Sequence, residues 1–213
     1  MDRRSTPEDL YLLPTPSGAY YAVSRPVAAP QRKLLQSIMQ HATSPPLSLE
    51  AVCAWSGIDN ETEATHMFKR LQKLGWVQGM AEEQHAPKGS LAVILPDLLK
   101  PLSGNGNVLL ADHQGFYIAG HGFDQGKVEE ISALTADLAS LQERHMSLLT
   151  RDLDMSTSAW ALVDAAGNSQ IGFWPLYIGE QRFVLAVEGM PCLNQTALTQ
   201  IIWALSVRYG MVN

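Results

Sequence analysis

Asn107-Val108-Leu109-Leu110-Ala111-Asp112-His113-Gln114-Gly115-Phe116-Tyr117-Ile118-Ala119-Gly120-His121-Gly122 is the stretch that decides the fold. Val108 to Ala111 is a short apolar run. Asp112 to Gly115 reads as a turn, in which Gly115 can take a positive φ at no steric cost. Phe116 to Ala119 is a second apolar run, closed by Gly120 and Gly122. Two apolar runs around a tight glycine-containing turn predict a β-hairpin.

Downstream of the hairpin, Asp124-Gln125-Gly126 leads into the longest helical pattern, Lys127 to about Leu149. Ile131, Leu134, Leu138, Leu141, His145 and Leu148 recur at spacings of three and four, a seam for a sheet or a partner helix. After a polar connection come three strands. Ala159 to Ala165 carries Trp160 and Leu162 on one side. Gln170 to Tyr177 contains Pro175, which predicts a bulge or an edge. Arg182 to Val187 is apolar enough to be central. A final helix, Leu193 to Tyr209, carries Leu198, Ile201, Ile202, Leu205 and Tyr209 as its stripe.

Upstream, residues 1–9 read as a terminal tail. Leu10 to Leu13 and Ala19 to Val23 flank Pro14-Thr15-Pro16-Ser17-Gly18 and predict a small hairpin within residues 1–29. Gln31 to Thr43 reads as a helix on Leu34, Leu35, Ile38 and Met39. Ser48 caps a second helix, Leu49 to Trp55, which Gly57 ends. Asp59 or Asn60 caps a third, with Glu61 and Glu63 in its first turn and Ala64, Met67, Phe68 and Leu71 on its apolar face. Trp76-Val77-Gln78 and Leu91 to Leu95 read as strands around a polar loop, and Pro96 opens a short helix to about Leu102. Residues 30–95 therefore resemble a winged helix. DNA is not the expected partner of such a module here. Base contacts come from the start of its third helix, which in this chain is Asn60-Glu61-Thr62-Glu63.

The totals agree. The 213 residues are 46% hydrophobic and 17% charged, which suits a well-buried globular chain rather than a disordered one. Residues 1–100 hold ten basic and ten acidic side chains, and residues 101–213 hold five and eleven, so the net charge of −6 arises entirely in the second half. That is not the footprint of a nucleic-acid binder. No stretch is apolar for the length of a membrane span. The beginning of the chain has no apolar core of a secretion signal. Cys53 and Cys192 read as two reduced thiols of a cytoplasmic protein.

The order short helix, hairpin, long helix, three-strand meander and final helix over residues 96–211 resembles the roadblock / dynein light chain domain, whose bacterial members include the MglB-like regulators of small GTPases. The residues carrying the resemblance are Gly106 to Gly122, the Val128 to Leu149 helix, and Phe183-Val184-Leu185-Ala186-Val187-Glu188-Gly189. The fold class is then α+β: a winged-helix-like module followed by an α/β/α sandwich with a five-stranded antiparallel sheet. The resemblance implies a homodimer formed through the long helix and the edge strand, hence through Ile131, Leu134, Leu138, Leu141, His145, Trp160 and Leu162. It further implies a scaffold, or a regulator of a Ras-like GTPase, as the role.

No catalytic constellation stands out. There is no Gly-x-Ser-x-Gly elbow, no phosphate loop and no paired cysteine motif. Asp112, His113 and His121 could approach one another, but Asp-His in a turn is ordinary turn chemistry. Cys53 with His66 could make a nucleophile pair, but Cys53 lies among Val52, Ala54 and Trp55 and reads as a core thiol. Neither a cofactor nor a resident metal is expected. Lys127, Arg144, Arg151, Arg182 and Arg208 are the only basic residues of the acidic half, so a cluster to cradle phosphates is lacking and nucleotide is not an expected ligand. The reading is a non-enzymatic dimeric regulator or scaffold, in which Arg144 and Arg151 are the candidate partner contacts. The alternative is a winged-helix transcription regulator dimerised by the second half.

Overall fold

A computed structural model describes residues 10–155 and 157–210. Strand β1 (Tyr11–Pro14) is followed directly by helix α1 (Pro16–Val23). The expected return strand at Ala19 to Val23 is thus helical. Pro16 occupies the first helical turn, where its missing N–H is no loss, and the Thr15 hydroxyl accepts from the Gly18 N–H at 3.2 Å. The true partner of β1 is remote: it pairs antiparallel with β2 (Val77–Met80), from Tyr11 opposite Met80 to Pro14 opposite Val77. Gly18 makes that junction possible, since a Cβ there would lie 1.8 Å from the Trp76 carbonyl oxygen.

Helices α2 (Pro30–Gln40), α3 (Leu49–Ser56) and α4 (Glu61–Lys73) bury the expected faces, Leu34, Leu35, Ile38 and Met39 on α2 and Ala64, Met67, Phe68 and Leu71 on α4. Ser48 caps α3 by accepting from the Ala51 N–H at 3.1 Å, and Asn60 caps α4 by accepting from the Glu63 N–H at 3.0 Å. Leu91 to Leu95, expected as a strand, opens helix α5 (Leu91–Leu99), which tightens into a 3₁₀ turn at Lys100–Leu102. Leu95, Leu99 and Leu102 are buried, with Leu91 and Leu98 packed against them. That helical period runs straight through Pro96. The strand partner expected of Leu91 to Leu95, β2, is taken instead by β1.

The second half forms a five-stranded, wholly antiparallel sheet in the order β4-β3-β7-β6-β5. Its strands are β3 (Val108–Asp112), β4 (Tyr117–His121), β5 (Trp160–Val163), β6 (Ser169–Ile178) and β7 (Gln181–Glu188). The quoted hairpin is β3–β4. Its turn is fixed by the Asp112 carboxylate, which accepts from the Gln114 and Phe116 N–H groups at 2.9 Å each. Strands β3 and β7 sit inside the sheet, so both of their faces are apolar. Pro175 lies beyond the part of β6 that β5 covers, so β6 is itself an edge there and the missing N–H breaks no ladder.

Helix α6 (Gln125–Arg144) covers one face over Leu109, Ala111, Phe173, Val184 and Ala186. The opposite face, with Val108, Leu110, Leu185 and Val187, joins α7 (Thr196–Tyr209). That larger core does not stop at the sheet. It runs on into α1, α2, α4 and α5. The Trp203 indole donates to the His41 carbonyl at 2.7 Å, and the Gln40 amide donates to the Gly210 carbonyl at 2.7 Å. Burying α7's Leu198, Ile201, Ile202 and Leu205 is worth roughly 1.5–3 kcal/mol each.

Candidate protein interface

The six positions of the expected seam do not share one environment: the helix expected to run to Leu149 ends at Arg144, so His145 caps it and Leu148 opens the turn beyond. The buried residues of the helix are Ser132, Thr135, Ala139 and Gln142, mostly small or polar. The small ones let the helix lie close to the β3–β4 turn. At Gly115, where φ is +83°, a Cβ would come within 2.9 Å of the Ser132 carbonyl oxygen. Ile131 and Leu138 pack against the sheet cluster beside them. Leu134 is 40% exposed and Leu148 47% exposed, Leu141 is half-buried, and His145 at the end of the helix is exposed. The helix therefore turns leucines outward while burying serine and threonine, an inversion of the usual amphipathic order.

Strand β5 lies alongside. Trp160 is half-buried, and its indole donates to the Gln142 side chain at 3.2 Å. Trp160 and Leu162 stand opposite Phe173 and Ile171, and so share the α6 face of the sheet. Leu162 is 63% exposed and Val163 58% exposed. β5 pairs only with β6, so its outer rim of backbone N–H and C=O groups is unpaired among the described residues. The strand ends at Asp164, whose carboxylate accepts from the Ala166 and Asn168 N–H groups; the backbone bond from Asn168 is the largest cause holding it below the ordinary carboxylate range. This edge strand was legible in the sequence. The inverted burial of α6 was not, because leucine spacing alone does not say which side of a helix meets the sheet.

Arg144 is exposed in the last turn of α6. Arg151 is exposed in a short π-helical turn, Leu148–Asp152, and pairs with Asp152 at 3.1 Å. The sequence offers no signal for a role of Arg182, which forms an ion pair with Glu143 and donates to the His113 carbonyl at 3.3 Å. Cys53 packs against the core, and His66 is exposed. Among the described residues, no group of three His, Cys, Asp or Glu side chains is placed to hold a metal ion, and no helix is long and apolar enough to cross a membrane.

Short helix, hairpin, long helix, three-strand meander and final helix follow in that order around one five-stranded antiparallel sheet with helices on both faces. That element order and that five-stranded antiparallel sheet are the ones expected of the second half from the sequence. No sequence-family model matches the chain, and no curated protein does. Among solved structures it is similar to the gliding protein MglB of Thermus thermophilus, at 16% identity over 59% of this chain and 94% of that one, with a TM-score of 0.39. It is also similar to Myxococcus xanthus MglB, at 18% identity over 53% and 84%, TM-score 0.33. A roadblock/LC7 domain from Streptomyces avermitilis follows at 13% identity over 53% and 87%, TM-score 0.33.

Proposed function

We propose that the chain is a cytoplasmic dimeric regulator or scaffold that performs no chemistry itself and binds a Ras-like small GTPase or another signalling partner through its roadblock-like half. The observation supporting this is the unpaired rim of β5 beside the outward leucines of α6. A strand edge with exposed Leu162 and Val163 is a template for a second strand, and two copies related by a two-fold axis would extend both sheets into one. The interface would be built on Ile131, Leu134, Leu138, Leu141, His145, Trp160 and Leu162. Ile131 and Leu138 would contribute less, because they already pack on their own sheet.

Residues 30–95 are read as a winged-helix-like module that acts as spacer or protein contact, and residues 96–213 as the roadblock-like domain. Exposed Glu61 and Glu63 at the start of α4 oppose a phosphate-lined groove. A GTPase is stimulated either by an inserted arginine or by ordering of its own switch residues. Arg144 and Arg151 are the candidates for insertion. Ordering is the preferred route, since neither arginine is flanked by glycines.

The test is turnover of a cognate small GTPase with and without the protein, alongside sedimentation equilibrium at about tens of micromolar. A dimer that binds the GTPase, with stimulation surviving Arg144→Ala and Arg151→Ala, supports the ordering route. A monomer removes the dimer reading. Failure both to bind and to stimulate removes the GTPase reading.

A further inference from the structure

A cavity of about 680 Å³ lies between the N-terminal segment and the far end of the roadblock-like half. Arg25 and Arg32 reach it from the first half. Arg182 and Tyr177 reach it from β7 and β6, and Glu143 from the end of α6. The acidic half alone lacks a phosphate cradle. The fold supplies the missing charges from the other half.

The guanidinium groups are unequally matched. Arg182 has Glu143. Arg25 donates to the Met155 carbonyl at 2.7 Å. Arg32, only 5% exposed, donates to the Tyr21 carbonyl and stands 4.5 Å from the centre of the Tyr21 ring. Among the described residues, neither Arg25 nor Arg32 has a carboxylate within 4.0 Å. The Nε atoms of both Arg32 and Arg182 are buried without any hydrogen-bond partner among those residues. Lys33 and Glu180 also line the space, so four cations face two carboxylates, an excess of two positive charges in a protein of net charge −6.

A buried guanidinium without a counter-charge is unfavourable unless its donors are met. Burial pulls the Arg32 guanidinium below its ordinary range, against the opposing effect of Tyr21. The planar fork of arginine is matched by the paired oxygens of a phosphate. The charge excess fits a dianion. The volume lies in the range of roughly 300–1,000 Å³ that houses small organic ligands, beyond what a bare ion fills.

We propose that this cavity binds a nucleotide-sized phosphorylated small molecule, with Arg25, Arg32 and Arg182 on its phosphate groups. The ligand would cross-link the two halves of the chain, touching residues from both. This stands apart from the GTPase reading, because binding is measured on the protein alone.

The test is calorimetric titration of the full chain with ADP and with inorganic pyrophosphate. Both are expected to bind, ADP the more tightly. Arg25→Gln and Arg182→Gln should each weaken binding about tenfold or more, while Glu143→Gln, which removes a competing carboxylate, should tighten it. Arg32 is buried, so Arg32→Lys is used and checked first for an unchanged unfolding transition. No binding of either probe at millimolar concentration would overturn the proposal. So would affinities that Arg25→Gln and Arg182→Gln leave unchanged, or a Glu143→Gln variant that binds less tightly.

Discussion

Replacing Leu162 by aspartate should split the proposed dimer while leaving each subunit folded. Leu162 is 63% exposed, so most of its side chain makes no contact within its own subunit. Full burial of a leucine contributes about 2 kcal/mol, which leaves about 1.3 kcal/mol to be gained at an interface. A two-fold interface presents the same patch twice, so the loss is about 2.6 kcal/mol per dimer. At about 1.4 kcal/mol per decade that is roughly a 70-fold rise in the dimer dissociation constant. An unpaired carboxylate held against the partner adds to it. The subunit itself should barely notice, since exposed substitutions stay within about 0.5 kcal/mol, a shift in Tm of roughly 1–2 °C. Sedimentation equilibrium over a concentration series gives the first quantity and thermal unfolding at low concentration the second. If Leu162→Asp dimerises as well as the parent, the β5 edge is not the interface.

Gly18→Ala should destabilise the chain by about 3 kcal/mol, at the upper end for overpacking, because the new Cβ would sit 1.8 Å from the Trp76 carbonyl oxygen; a urea-unfolding free energy equal to the parent's would disprove the close approach. Burial, with a smaller contribution from Tyr177, raises the Tyr20 pKa from 10.0 to about 12. The folded state therefore favours the neutral phenol, and that stability is complete below pH 10.0 and lost as pH rises through about 12. Circular dichroism against pH should show Tyr20→Phe resisting this alkaline loss better than the parent, and an identical profile would sink the assignment. DNA binding should be weak, non-specific and steeply salt-dependent; a gel-shift series revealing tight sequence-selective binding at physiological salt would show that Glu61 and Glu63 had been misjudged.

The hairpin at Asn107 to Gly122 was legible because its signals are local: the Asp112 side chain closes its own turn and Gly115 takes the positive φ. β7 was legible as central because Phe183 to Val187 leaves no polar face. The segments misjudged are those where local propensity competes with capping or a remote partner. Ala19 to Val23 suits a strand, but Thr15 and Pro16 start a helix ahead of it. Leu91 to Leu95 suits a strand too, and Pro96 hides the leucine period that continues to Leu102. The arginine cavity could not be read at all, since Arg25 and Arg182 lie far apart along the chain and only the packing of the two halves joins them.

The shared core has a consequence for how the protein is made. Helix α1 packs against α7, the last helix of the fold. At roughly 5–20 residues per second, synthesis takes on the order of ten to thirty seconds to travel from α1 to α7. Through that interval Leu34, Leu35, Ile38 and Met39 have only their α-helical neighbours to shelter them. The apolar face of the N-terminal half therefore stays uncovered by α7 until that helix has emerged. Interruption of translation before Trp203 would yield a sticky fragment rather than a smaller working protein.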